Sequence, residues 1–169
     1  MSSKKIFILE DDVNILYGLE AQFSADEFLV ESSEGEEDLE ELLSNIRSFN
    51  PDYLILDLIL PKLDGFEVVK RIKEDEETSE LPIFIFTDLS DEDSKNRSLE
   101  LGADYYFIKE EFDTYEFAEK VKKIIGNQEK EEEEESVEAE QVELIDSDVT
   151  FIKRYAAMHG KVKSQAQVL

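Results

Sequence analysis

Tyr53-Leu54-Ile55-Leu56-Asp57, followed by Leu58-Ile59-Leu60-Pro61 and then Asp64-Gly65, is a run of strand-forming residues that ends on a carboxylate. Continuous apolar runs such as 54–56 and 83–86 suit strands covered on both faces. A carboxylate at the C-terminal end of such a strand sits where open α/β sheets place their chemistry. Three other strand-like runs end on polar groups: 6–9 on Glu10-Asp11-Asp12, 83–86 on Thr87, and 105–108 on Lys109. Strand ends bearing acid, acid, hydroxyl and ammonium together are far more specific than any one of them alone.

Outward from this stretch, residues 4–126 alternate between strand and helix patterns. Strands are expected at 5–9, 27–31, 52–57, 82–87 and 105–108. Between and after them, helices are expected at 13–24, 35–49, 65–75, 91–101 and 114–125. Leu39, Leu42, Leu43 and Ile46 share one face of the second helix, with acids opposite. Gly102 suits a C-cap, Asp113 an N-cap, and Gly126-Asn127 a stop for the last helix. Strands reached through helices imply parallel pairing with right-handed crossovers. The expected fold is α/β, a flavodoxin-like doubly wound five-stranded sheet of order 2-1-3-4-5 with five helices. That order puts the ends of the first and third strands side by side, and with them Glu10, Asp11 and Asp57.

Composition sets the limits. The chain has 169 residues and no Cys, so disulfides, thiolate metal sites and a Cys nucleophile are excluded. Its net charge of −26 argues against binding nucleic acid or anionic membranes. No stretch approaches a membrane span, and Met1 to Lys5 lead into too short an apolar run for a signal peptide, so a cytoplasmic setting is expected. Residues 1–128 carry a net −20, residues 129–148 a net −10 and residues 149–169 a net +4. This divides the chain into a domain at 1–128, an acidic flexible linker at 129–148, and a basic tail at 149–169. In the tail, Phe151, Ile152, Tyr155 and Met158 lie at helical spacing beside Lys153, Arg154, Lys161 and Lys163, as in a short amphipathic helix.

Three carboxylates crowded at one sheet edge repel one another, and a divalent cation relieves the conflict. Oxygen donors suit a hard cation such as Mg²⁺, which keeps waters free for a phosphoryl group, and no His lies near to favour zinc. A carboxylate oxygen is also a competent nucleophile toward phosphorus. Phosphoryl transfer needs positioning and charge neutralisation above all, which Lys109 and the Thr87 hydroxyl can assist. Taken singly, the acids could simply serve the first helix N-terminus, where negative charge is favourable. Tyr106 suits a static core aromatic as well as a mobile one.

In this order and spacing the residues resemble the receiver domain of two-component response regulators, in its stand-alone chemotaxis-type form, over about residues 4–126. The resemblance implies that Asp57 is the phosphoacceptor, with Lys109 and Thr87 completing the catalytic set. It implies Asp11 and Asp57 as direct Mg²⁺ ligands, Glu10 acting through water, and the Ile59 backbone carbonyl as a further ligand. Thr87 and Tyr106 would be the switch pair. The expected partner is a histidine kinase or phosphotransfer protein, with an unknown protein target downstream and no nucleic acid or membrane insertion. The chain would be no enzyme beyond assisting its own phosphorylation and dephosphorylation. The region after residue 128 is expected to be too short and too charged for a DNA-binding output domain.

The chain departs from the family pattern at Glu110, where a Pro is usual, and at Asp88, where a small residue is usual. These departures favour the alternative of a pseudo-receiver or scaffold that is never phosphorylated. A flavin or dinucleotide binder fits poorly, because Glu10-Asp11-Asp12 stands where a glycine-rich phosphate loop is needed.

Overall fold

Five short apolar runs form strands and the amphipathic stretches between them form helices. The structure, a computed structural model, describes residues 2–144. In chain order the elements are β1 (Lys5–Leu9), α1 (Val13–Ala25), β2 (Leu29–Ser33), α2 (Leu39–Phe49), β3 (Tyr53–Leu56), α3 (Gly65–Glu74), β4 (Ile83–Thr87), α4 (Glu92–Glu100), β5 (Tyr105–Ile108) and α5 (Thr114–Leu144). The strands form one parallel sheet of order β2-β1-β3-β4-β5, as the sequence predicts. The three central strands are buried almost throughout, whereas the edge strands β2 and β5 are only partly covered. Side chains alternate across the pleat. Phe7, Leu9, Leu54, Leu56, Ile83 and Ile85 join Leu42, Ile46, Val68 and Ile72 in one apolar layer. Phe84 and Phe86 point the other way, and Phe86 stacks on Phe117 with ring centroids 4.0 Å apart.

Asp residues start the helices. Asp12, Asp38, Asp64 and Asp91 accept backbone N–H bonds at the N-termini of α1 to α4. At α5, Asp113 and Glu116 bond reciprocally as a capping box. Two elements begin two or more residues later than the sequence reading. β2 begins at Leu29 because Glu27, at φ 67°, belongs to the preceding turn. α2 begins at Leu39 because Gly35, at φ 76°, holds a left-handed turn and Asp38 takes the cap.

A larger correction concerns α5. Gly126-Asn127 does not end it, and the helix runs to Leu144 through most of the stretch expected to be a flexible linker. Gly126 does not adopt the positive φ of a C-cap. A single interior Gly costs a helix only about 1 kcal/mol, and the Glu, Lys and Gln that follow are good helix formers. The predicted tail at 149–169 lies outside the described residues. Among the described residues, no helix is long and apolar enough to cross a membrane.

Gly65 is required by close approach. A Cβ there would sit 2.4 Å from the Leu58 Cα and 2.7 Å from its carbonyl oxygen. Backbone cannot yield as a side chain can, so Gly65→Ala is expected to destabilise the domain by about 3 kcal/mol, measured by urea denaturation.

Candidate functional site

The sheet order decides which strand ends meet. Leu9 pairs with Leu56, so the next residues, Glu10 and Asp57, emerge side by side. The Asp57 N–H donates to the Leu9 carbonyl at 2.9 Å, and the Lys109 N–H donates to the Thr87 carbonyl at 2.8 Å. Four strand ends therefore converge on one edge.

Side chains complete the convergence. Glu10 is 2% exposed, Asp57 4% and Thr87 0%, while Asp11 is exposed. Glu10, Asp11 and Asp57 each present a carboxylate oxygen, and the three oxygens lie within 4.8 Å of one another. The Lys109 ammonium donates to Asp57 Oδ2 at 2.7 Å and lies 2.8 Å from Glu10 Oε2. The other Asp57 oxygen accepts the Ile59 N–H at 3.0 Å, which fixes the carboxylate plane. Glu10 Oε1 accepts the Asp12 N–H at 3.0 Å.

One ammonium thus faces three carboxylates, and the electrostatics show the imbalance. Burial pushes Glu10 up to about 7, against hydrogen bonds from Lys109 and the Asp12 N–H, and the Asp57 charge adds to the rise. Burial also works against the Lys109 cation, yet its bonds to Asp57 and Glu10 outweigh this and hold it above the usual lysine range. A group whose pKa is higher folded than unfolded stabilises the fold below the unfolded value, and this stability is lost as pH rises through the folded value. For Glu10 the window runs from 4.5 to about 7. In metal-free buffer, Glu10→Gln is therefore expected to flatten the decline in stability across that window, worth about 3 kcal/mol, in urea midpoints taken at successive pH values.

The oxygen-only donor set and the surplus negative charge fit a hard divalent cation. Asp11, Asp57 and Glu10 come together as the sequence predicts, and the Ile59 backbone is tied to Asp57. Thr87 and Tyr106 meet elsewhere, on the backbone of Leu89. The Leu89 N–H donates to Thr87 Oγ1 at 3.4 Å, and the Tyr106 hydroxyl donates to the Leu89 carbonyl at 2.7 Å. Burial raises the Tyr106 hydroxyl to about 12, helped by the charges of Asp91 and Asp57. Sequence reasoning missed Leu89 as the shared anchor and the Asp12 N–H as a Glu10 partner. Both contributions are made by backbone atoms, which no residue type advertises. Asp88 and Glu110 are exposed, and no peptide bond among the described residues is cis.

Residues 6–122 match the response regulator receiver domain family. The chain belongs to that family. The receiver domain is 35% identical over 124 residues to response regulator ArlR of Staphylococcus haemolyticus, a match covering 73% of this chain and 53% of that protein. A putative response regulator from Chloroflexus aurantiacus aligns at 30% identity with a TM-score of 0.63, covering 74% of this chain and 99% of that one. The phosphorylated cyanobacterial phytochrome response regulator RcpA aligns at 27% identity with a TM-score of 0.57, covering 64% of this chain and 81% of that one. The chain spans about half the length of the curated relatives it matches. It carries the receiver domain of a two-component response regulator, with the doubly wound fold of that family.

Proposed function

We propose that Asp57 accepts a phosphoryl group from a phosphohistidine on a histidine kinase or phosphotransfer protein. The observation that carries this reading is the Lys109 ammonium at 2.7 Å from Asp57 within a cluster of three carboxylates. In the transfer, an Asp57 oxygen bonds to phosphorus as the bond from phosphorus to the imidazole nitrogen breaks. The electron pair of that bond returns to the histidine. Lys109, already paired with Asp57, meets the charge on the transferred group, and the buried Thr87 hydroxyl hydrogen-bonds one of its oxygens. Mg²⁺ held by Asp11, Asp57, the Ile59 carbonyl and, through water, Glu10 would offset the charge of the carboxylates and of the phosphoryl oxygens.

Signalling follows from the Leu89 anchor. When Thr87 turns its hydroxyl to the phosphoryl group, Leu89 loses one of its two bonds, and Tyr106 is freed to move. The loop before α4 then rearranges, and the face around α4 and β5 changes its protein partners. RcpA, a relative of the same fold, has been crystallised in its phosphorylated form, which supports this reading by kinship. The exposed carboxylates of Asp88 and Glu110 favour the scaffold alternative.

Incubation with acetyl phosphate and Mg²⁺ separates the two. The expected result is a gain of one phosphoryl mass on a peptide containing Asp57. No gain, or a gain on another residue, would leave the scaffold reading. The phosphoryl group is also expected to be long-lived. Ile59 and Leu89, two residues beyond Asp57 and Thr87 respectively, are apolar, and neither can orient an attacking water. Label loss in Mg²⁺ buffer should take hours, whereas loss within seconds would contradict this.

A further inference from the structure

α4 is weakly held for a helix of its position. Its sequence, EDSKNRSLE, is polar apart from Leu99, and its one buried residue is Ser98. The Ser98 hydroxyl donates to the Lys95 carbonyl of the same helix, so it ties α4 to nothing else. Leu99 is 38% exposed. A helix with so little buried apolar surface opens locally at small cost.

One side chain of α4 reaches across to a neighbour. The Arg97 guanidinium lies over the Phe66 ring, 4.0 Å from its centroid. Phe66 is the second residue of α3, and its position is tightly set. Its N–H donates to Asp64 at 2.9 Å. Gly65 before it abuts the Leu58 backbone and donates its N–H to the Leu58 carbonyl at 3.3 Å. Ile59 and Asp64 form an antiparallel bridge. Leu58 directly follows Asp57. A continuous chain of backbone contacts therefore runs from Asp57 to Phe66, and the cation–π contact carries it onto α4.

We propose that Arg97 and Phe66 form a latch that couples the segment after Asp57 to α4, by a route that bypasses Thr87, Leu89 and Tyr106. The latch holds α4 in its resting place from the α3 side, while the Leu89 anchor holds it from the β4 side. It rests on contacts of the unphosphorylated protein, and its function as a second path to α4 rests on the phosphoacceptor reading above.

Amide hydrogen exchange on the full chain without any phosphodonor tests the latch. Arg97→Ala is expected to speed exchange in α4 about two- to fivefold, the range for a cation–π contact at an exposed site. Phe66→Leu, which keeps apolar bulk in the core but loses the ring face, should give a similar increase. The double variant should exceed neither single variant, as contacting residues in one interaction do. Coupling is reciprocal, so Arg97→Ala should also speed exchange at 65–68 in the first turn of α3. Additive effects in the double variant, or an α3 turn unmoved by Arg97→Ala, would overturn the proposal. Neither readout uses phosphorylation, so a failure to label Asp57 strikes the phosphoacceptor reading and the signalling use of the latch, and leaves the exchange rates to decide whether the latch exists.

Discussion

Asp57→Asn is expected to abolish phosphoryl labelling while leaving the domain folded. The amide is no nucleophile toward phosphorus, and no second carboxylate among the described residues has the same three attributes. Asp57 is buried, bonded to Lys109 and fixed in plane by the Ile59 N–H. Glu10 also bonds Lys109, but its pKa of about 7 leaves it a mixture of forms at neutral pH. Asp11 is exposed. The fold should survive because the Asn carbonyl still accepts the Ile59 N–H, and Lys109 keeps its pairing with Glu10. Removing one of three crowded negative charges also lowers the Glu10 pKa, since the Asp57 charge helps to raise it. Intact-mass spectrometry after acetyl phosphate and Mg²⁺ checks the first claim, and thermal unfolding checks the second. A variant labelled as fast as wild type would mean that another residue is the acceptor.

Lys109→Met should be the most damaging single change to site and fold together. It keeps the length of the side chain and removes the one cation that, among the described residues, bonds Glu10 and Asp57, which are almost wholly buried. Removing one partner of a buried pair costs about 3–5 kcal/mol, because the other charge stays buried without compensation. The cost should shrink toward pH 5, where Glu10 takes up a proton and the surplus charge falls. Labelling should drop roughly 10²–10³-fold, the scale for losing one group that stabilises transition-state charge. Urea melts at pH 5 and pH 8, together with initial labelling rates, would check both. A variant as stable as wild type at pH 8 would contradict the electrostatic account of the site.

The sheet is legible in the sequence because its signals are redundant. β1 and β5 match their expected spans, and the other strands shift by at most two residues. Period and burial agree in β3, where every residue is buried and the strand runs directly into Asp57. The site is legible because strand order converts distant positions into neighbours, so Glu10, Asp11 and Asp57 can be grouped from topology, while Lys109 joins them through the family resemblance. The length of α5 is not, because Gly126-Asn127 has the look of a stop, although a lone Gly inside good helix formers is tolerated. Arg97 carries no signal at all. Its partner, Phe66, reads as a core residue of α3, and only the crossing of two helices brings the ring beneath the cation.

The ion pair at Lys109 joins residues 52 and 99 positions apart along the chain. During synthesis the first two members wait exposed on a ribosome-bound fragment until the fifth strand has emerged. Under the proposed phosphoacceptor role, an incomplete polypeptide lacks the cation that would meet the transferred group. On that reading, prematurely terminated products would answer a donor far more weakly than molecules that had finished building the sheet.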